Sequence, residues 1–203
     1  LATADNPAED EFTMHQIHCF EEGSQMIVEA FPQALRHILN TAGISRFTKY
    51  QFAMVRLGIG LYGVATCESD KSVLQPVGAL KTTITQIKHI PKGDSIGYNR
   101  HGRAERDMRI GIVPIGYADG LSRLLGNGNG VFYVHDNPVR IVGDVCMDMC
   151  MLDLTDIETS EGDTVVIFDA EHDVNDIAKS SQTIPYEIMT RVSQRVKRVY
   201  YQE

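Results

Sequence analysis

Arg56-Leu-Gly58-Ile59-Gly60-Leu-Tyr-Gly63 sets three glycines within six residues beside an arginine. Backbone N–H groups without a flanking Cβ suit close approach to an anion, and the arginine adds a permanent positive charge. The run satisfies the literal G-x-G-x-x-G spacing. That spacing marks a dinucleotide site only when a strand precedes it, a helix opens on it and an acid follows about 20 residues later. A strand over 52–57 is expected before it, but Val64-Ala-Thr-Cys-Glu-Ser-Asp-Lys71 has no helical period. The dinucleotide reading therefore fails on context. Two readings stay open: a phosphate held by backbone N–H groups beside Arg56, and a tight glycine turn that ends a strand.

Other residues with chemical capacity lie further along. Tyr98 and Tyr117 stand 19 residues apart, the second in Pro114-Ile-Gly-Tyr-Ala-Asp-Gly120. A tyrosine carries protons only where its surroundings lower a pKa near 10; otherwise Tyr98 is a half-buried strand tyrosine and Tyr117 packs within its own turn. Cys146 and Cys150 would share one face of a strand over 145–154. Two thiols with no convergent histidine favour buried, inert cysteines over a metal site. His15 and Cys19 share a helix face with His18 nearby, but a structural zinc needs four ligands, so helix-surface residues are the better reading. No metal site is expected.

The elements that must position these groups divide the chain. Asn6-Pro7-Ala-Glu9 starts a helix, with Asn as N-cap and Pro at the first helical position. Thr13, Ile17, Phe20, Ser24, Ile27 and Phe31 then recur as one buried stripe, weakened at Gly23. Ala34–Leu39 reads as a strand, Asn40–Gly43 as a loop and helix start, and Gln51–Leu57 as the next strand. That is an α/β rhythm. From Pro76 the texture changes to short β-prone runs between turn signals: 80–87, 108–115, 131–134, 139–142, 145–154, 164–168 and a last one over 196–201. Helices are expected over 174–179 and 185–193. Many short strands at this spacing indicate a mostly-β domain.

A chain of 203 residues with 43% hydrophobic and 23% charged residues suits a globular protein able to bury a substantial core. Its net charge of −8 argues against nucleic acid as a partner. The cluster Arg191, Arg195, Lys197 and Arg198 reads as a solvated or carbonyl-capping face. No apolar run is long enough for a membrane span. Four cysteines make no disulfide framework, which favours a reducing cytoplasm. The opening Leu1-Ala-Thr-Ala-Asp reads as mid-protein sequence, so a fragment is expected and N-terminal targeting is unobservable.

Arg56-Leu-Gly-Ile-Gly-Leu-Tyr-Gly63 resembles the segment of bacterial alanine racemases in which an arginine meets the pyridine nitrogen of pyridoxal phosphate. Five further segments match in order. His37-Ile-Leu-Asn-Thr41-Ala resembles the phosphate-side segment, which nominates Thr41 beside Gly58 and Ile59; the residues alone favour a plain N-cap there. Ser95-Ile-Gly-Tyr98 resembles the segment of the catalytic tyrosine, and Pro114–Gly120 that of a second tyrosine, Tyr117, lining the substrate entrance. Gly143-Asp-Val-Cys146-Met147-Asp148 resembles the substrate-carboxylate segment. Ile184-Pro-Tyr186-Glu resembles a late helix start whose tyrosine binds the cofactor phosphate. The resemblance covers nearly the whole chain. Asn99, Gly102 and Asp144 depart from it: Asp144 stands where relatives often have arginine. The family's Schiff-base lysine, in a Pro-x-x-Lys context, has no counterpart here, nor has its barrel histidine.

The resemblance implies an α/β barrel remnant followed by a mostly-β C-terminal domain. Residues 1–75 would be closing segments of a TIM-type barrel that binds pyridoxal phosphate, and 76–203 the β domain. It implies interconversion of L- and D-alanine for peptidoglycan synthesis. It implies a cytoplasmic homodimer with shared active sites, in which Tyr98, Tyr117 and Met147 serve the partner's cofactor. In some bacteria such a racemase is fused behind a cell-wall ligase domain. Without the lysine, the chain alone should be inactive. Rival readings are a pyridoxal-phosphate-dependent amino-acid decarboxylase of the same build, which the Cys-Met-Asp segment disfavours, and a non-catalytic β-barrel binding module.

Overall fold

The computed structural model describes residues 1–201, in two compact units, Leu1–Val77 and from Gly78 onward. In the first, Asn6 caps a short 3-10 turn, Pro7–Glu9, its side chain accepting from the Ala8 N–H at 3.1 Å, and α1 (Asp10–Ala30) follows directly. Thr13 and Ile17 are fully buried: Thr13 Oγ1 lies 2.8 Å from Thr3 Oγ1, and Arg46 reaches from α2 (Thr41–Arg46) to Asp10 at 2.7 Å. The expected stripe fails beyond Phe20, whose ring meets Phe52. Ile27 is 53% and Phe31 66% exposed. Here the helix overhangs a shallow cleft of about 450 Å³, lined by Phe20, Ser24, Ile27 and Leu35, and no element of this unit closes over it.

The strands expected over 34–39 and 51–57 are extended segments without a regular ladder. Two backbone bonds join them at one offset, Ala53 N–H to Arg36 C=O (3.2 Å) and Arg56 N–H to Leu39 C=O (3.0 Å), the alignment of a parallel pair. Two rungs with no further neighbour are too few for a strand.

The second unit is mostly β. Its strands are β1 (Leu80–Thr83), β2 (Gln86–Ile90), β3 (Ser95–Ile96), β4 (Gly102–Arg103), β5 (Met108–Val113), β6 (Val131–Val134), β7 (Asn137–Val142), β8 (Cys150–Asp153) and β9 (Thr164–Phe168). Seven form one sheet, ordered β1-β9-β6-β7-β8-β5-β2, with every pairing antiparallel; β3 and β4 pair separately. Phe132, Val134, Val139, Ile141, Leu152, Val165 and Ile167 alternate inward to form the core. His135 and Asp136, at φ 49° and 61°, make the two-residue turn of the β6–β7 hairpin, a geometry that matches strand twist. Helices α3 (Val174–Ser180), capped by Asp173, and α4 (Pro185–Arg191), opened by its proline, pack on each other.

Three expected strands differ. The run 80–87 is two strands on opposite edges of the sheet. The chain bends at Ile84, 1% exposed, whose N–H donates to Asp163 C=O, while Thr85 N–H donates to Ile112 C=O. Burying Ile84 turns the strand, and the two-residue step obliges the sheet to curl until its edges meet. The run 145–154 is a strand only from Cys150. Gly143 leaves β7 at φ 68°, and 144–149 is a loop closed by Cys146 N–H to Met149 C=O at 2.9 Å. Over 196–201 there is no strand, because Arg198 turns the chain by donating to the carbonyls of Val192, Ser193 and Val196. That is the carbonyl-capping role expected of this cationic cluster.

Candidate functional site

In the first unit Asn40, not Thr41, is the helix cap: its side chain accepts from the Gly43 N–H at 3.1 Å. The Thr41 hydroxyl, on a residue 4% exposed, is thereby left to accept from two N–H groups of the glycine run, Gly58 at 3.1 Å and Gly60 at 3.4 Å. The plain N-cap reading of Thr41 is corrected. Gly60 permits the approach: a Cβ there would stand 2.8 Å from Thr41 Cγ2. Among the described residues the Ile59 N–H, opening the 3-10 turn Ile59–Tyr62, meets no acceptor. Arg56 is exposed and steadied by Ile38 C=O (3.0 Å) and His37 Nδ1 (3.4 Å). Thr41, Arg56, Gly58 and Ile59 thus form one group of N–H donors, a hydroxyl and a guanidinium.

The second group gathers on the 143–149 loop. Tyr117 N–H donates to Cys146 C=O and Ala118 N–H to Met147 C=O, both at 3.0 Å. The Tyr117 turn (Tyr117–Asp119) therefore lies edge to edge with the Cys146-Met147 backbone. Gly116 makes this approach feasible, since a Cβ there would fall 2.3 Å from Cys146 O and 2.4 Å from Met147 O, both backbone atoms that cannot swing aside. Gly116→Ala is expected to destabilise the second unit by about 3 kcal/mol, the upper range for overpacking. Thermal unfolding checks this; an unchanged midpoint would show the loop to be freely displaceable.

Tyr98 sits on the other flank of the same loop. It opens a 3-10 turn, Tyr98–Arg100, between β3 and β4, and is 72% exposed, so the half-buried strand tyrosine is also corrected. Gly102, just beyond, packs on Gly143, whose N and Cα would lie 3.1 Å from a Gly102 Cβ. Tyr117 (42%) and Met147 (53%) are exposed as well. Tyr186 stands on the opening turn of α4. Just past that helix, Ser193 N–H donates to Asp119 C=O at 3.0 Å.

Charge organises this face. Asp119, nearly buried, accepts from Gly116 N–H at 2.8 Å and from Arg195 at 2.7 and 3.1 Å. Arg195 also donates to Asp148 Oδ1 at 2.7 Å. Burial alone would raise the Asp119 carboxyl, but the Arg195 and Gly116 hydrogen bonds and the Arg195 charge outweigh it and hold it below the ordinary carboxylate value. Hydrogen bonds from His101 and Asn127 likewise lower Asp144. Burial first, then the Asp144 charge, push the Cys146 thiol up, and burial pushes Cys150 up to about 12. Both cysteines are thus thiols rather than thiolates at neutral pH. Only Cys150 lies on a strand. His15 Nε2 is 3.6 Å from Cys19 Sγ on an exposed helix face, and the described residues hold no group of three or more His, Cys, Asp or Glu suited to a metal. No described helix is long and apolar enough to cross a membrane.

Sequence reasoning missed Asp119, His101 and Asn127, and it read Arg195 only as part of a surface cluster. The Asp of Tyr-Ala-Asp-Gly was the available signal, since a carboxylate two residues after an exposed tyrosine invites a partner from elsewhere in the chain.

A helix-bearing first unit with an anion-type donor group, joined to a curled antiparallel sheet displaying two exposed tyrosines, defines a two-part α/β-plus-β class of protein. Residues 1–66 match the family model of the alanine racemase N-terminal domain, and residues 77–200 that of the alanine racemase C-terminal domain. The chain belongs to the alanine racemase family. It is 42% identical over 173 residues to alanine racemase 2 of Caldanaerobacter subterraneus subsp. tengcongensis, covering 82% of this chain and 44% of that protein. Among solved structures, the alanine racemase of Streptomyces coelicolor A3(2) matches with a TM-score of 0.91 at 29% identity, over 98% of this chain and 54% of the other. The Bartonella henselae alanine racemase, solved with covalently bound pyridoxal phosphate, matches with a TM-score of 0.87 at 28% identity, over 99% and 55%. The chain spans about half the length of the curated relatives it matches.

Proposed function

We propose that this chain supplies the closing segments of a pyridoxal-phosphate barrel and the C-terminal β domain of an alanine racemase, acting on L- and D-alanine. The observation that carries this reading is the convergence of Tyr98, Tyr117 and Met147 on the 143–149 loop. It joins the tyrosines nominated for proton transfer and substrate entry to the segment nominated for the substrate carboxylate. The first-unit group fits the cofactor. A phosphate needs hydrogen-bond donors; the Thr41 oxygen already accepts from the Gly58 and Gly60 N–H groups, which leaves its hydroxyl proton and the neighbouring Ile59 N–H to offer, with no side chain on Gly58 to crowd the approach.

When bound, pyridoxal phosphate supplies the electron withdrawal that makes the α-proton of alanine removable. Thr41, Gly58 and Ile59 would hold its phosphate; resemblance alone nominates Tyr186 for the cofactor. Arg56, always protonated, would donate to the pyridine nitrogen and keep it from taking a proton, which limits how much charge the ring accepts. Tyr98 Oη would move the proton on one face of the α-carbon. Tyr117 would narrow the entrance, and the backbone at Met147, flanked by Cys146 and Asp148, would orient the substrate carboxylate. Cytoplasmic location, and a homodimer in which the β domain of each subunit completes the partner's site, complete the reading.

The test is D-alanine formation from L-alanine by the full-length protein with pyridoxal phosphate. Release of carbon dioxide without D-alanine would overturn the reading. A second expectation concerns the chain by itself: none of its lysines should capture the cofactor stoichiometrically, because the nominated cofactor lysine is not among them. Titration followed by absorbance should show weak, scattered modification. A one-to-one signal abolished by a single Lys→Ala change would refute it.

A further inference from the structure

The loop that carries Tyr98 is strained, and its anchor is a pair of residues with no assigned role. Asn99 and Arg100 lie consecutively at φ 54° and 57°, the left-handed region that residues with a Cβ disfavour. Among the described residues the Tyr98 hydroxyl makes no hydrogen bond, so the direction of its ring depends on the backbone that carries it. That backbone is fastened at three points. Arg100 Nε donates to Ser95 Oγ at 3.2 Å. Gly102 lies against Gly143. His101 Nδ1 stands 2.9 Å from Asp144 Oδ2.

The third anchor is the best built. The Asp144 side chain is 10% exposed, and its other oxygen accepts from Asn127 Nδ2 at 3.0 Å. Asn127 is itself held, at φ 56°, by its N–H donating to Gly143 C=O at 2.8 Å. Arg123 Nη2 approaches the same carboxylate at 3.6 Å. One carboxylate therefore ties the 98–101 turn to the start of the loop that presents Met147. An arginine at 144 could not accept from His101 or Asn127, so this anchor belongs to a sequence with aspartate there.

We propose that His101 and Asp144 are positioning residues: their contact sets the reach of the Tyr98 hydroxyl toward the α-carbon held at the Met147 loop. The inference rests on the reading of Tyr98 as a proton carrier. The contact works through geometry, and misplacement of a reacting group by about 1 Å costs roughly a hundredfold.

The experiment uses the holoenzyme with Asp144→Asn, His101→Leu and the double variant, with His101→Arg as the conservative control; leucine has no donor for Asp144, whereas arginine keeps one. Each single change should lower kcat for racemisation about tenfold or more while KM for alanine stays within about twofold of the parent. Exchange of the α-proton in deuterated water should slow for the isomer whose exchange Tyr98→Phe abolishes, and far less for the other. Because the two residues act as one contact, the double variant should lose little more than the worse single. His101→Arg, which can still donate to Asp144, should recover most of the rate. Multiplied losses in the double, a rise in KM at constant kcat, or equal slowing for both isomers would overturn the proposal. His101 is at the surface, so its variants fold even if Asp144→Asn does not. Full racemisation by Tyr98→Phe would instead refute the reading beneath it, whereas an inactive Tyr98→Phe with fully active pair variants would refute the pair alone.

Discussion

Tyr98→Phe in the holoenzyme is expected to cut racemisation by about 10²–10⁴-fold in both directions, the usual loss of a general acid–base group. Inverting the α-carbon requires one proton-transferring group on each face, so removing either stops both directions. Proton exchange separates the faces. Family resemblance assigns the L-alanine face to Tyr98 and the D-alanine face to the lysine. In deuterated water, D-alanine should still wash out its α-proton while L-alanine exchange is nearly abolished. Equal loss from both isomers would mean that Tyr98 acts by positioning. The phenyl ring keeps the shape of a residue that is 72% exposed and makes no hydrogen bond through its hydroxyl among the described residues, so the fold should be untouched.

Arg195→Leu should produce the second large effect. Arg195 spans Asp119, which braces the Tyr117 turn, and Asp148, beside Met147. Its loss frees together the two segments proposed to face the substrate, and kcat/KM should fall about a hundredfold, with KM rising as well as kcat falling. Stability should also change its response to acid. The folded Asp119 carboxyl lies below its ordinary value, so its contribution is present above the unfolded pKa of about 3.9 and is lost as pH falls through the folded one. Without Arg195, burial dominates and raises that carboxyl, so acid unfolding of the variant should begin at higher pH. Arg195→Lys should rescue only partly, since an ammonium cannot serve both carboxylates with a planar fork. Melting temperatures followed from neutral pH into acid would decide it; curves that run parallel would show that Arg195 does not set the Asp119 titration.

The sequence made the local chemistry readable where spacing and residue type agree. Asn6-Pro7, the inward alternation of Phe132 to Ile141 and the break at Pro185 each dictate an element by nearest-neighbour physics. What it concealed depends on partners far along the chain. Nothing in Leu80–Ile87 says that a buried Ile84 will send its two halves to opposite sheet edges. Likewise Ile27 and Phe31 keep perfect helical spacing, although burial needs a neighbour and the first unit offers none at that end. At the site, the tyrosines and Cys-Met-Asp were visible as motifs. Asp119 with Arg195 and His101 with Asp144 were not, because an ion pair between distant segments leaves no periodic trace.

The bend at Ile84 also fixes an order of events during synthesis. β1 is the first strand of its unit to leave the ribosome, yet its partner β9 pairs Leu80 with Phe168 and emerges last of all the strands. At about 5–20 residues per second, that edge waits on the order of 10 s for its partner. The hairpin β6–β7, by contrast, can form as soon as it appears. For that interval β1 offers unpaired N–H and C=O groups to any neighbouring nascent chain. Its sequence, Leu-Lys-Thr-Thr, carries an exposed lysine and no run of large apolar residues, the composition that discourages stray strand pairing. A strand made first and paired last has to be harmless while it waits.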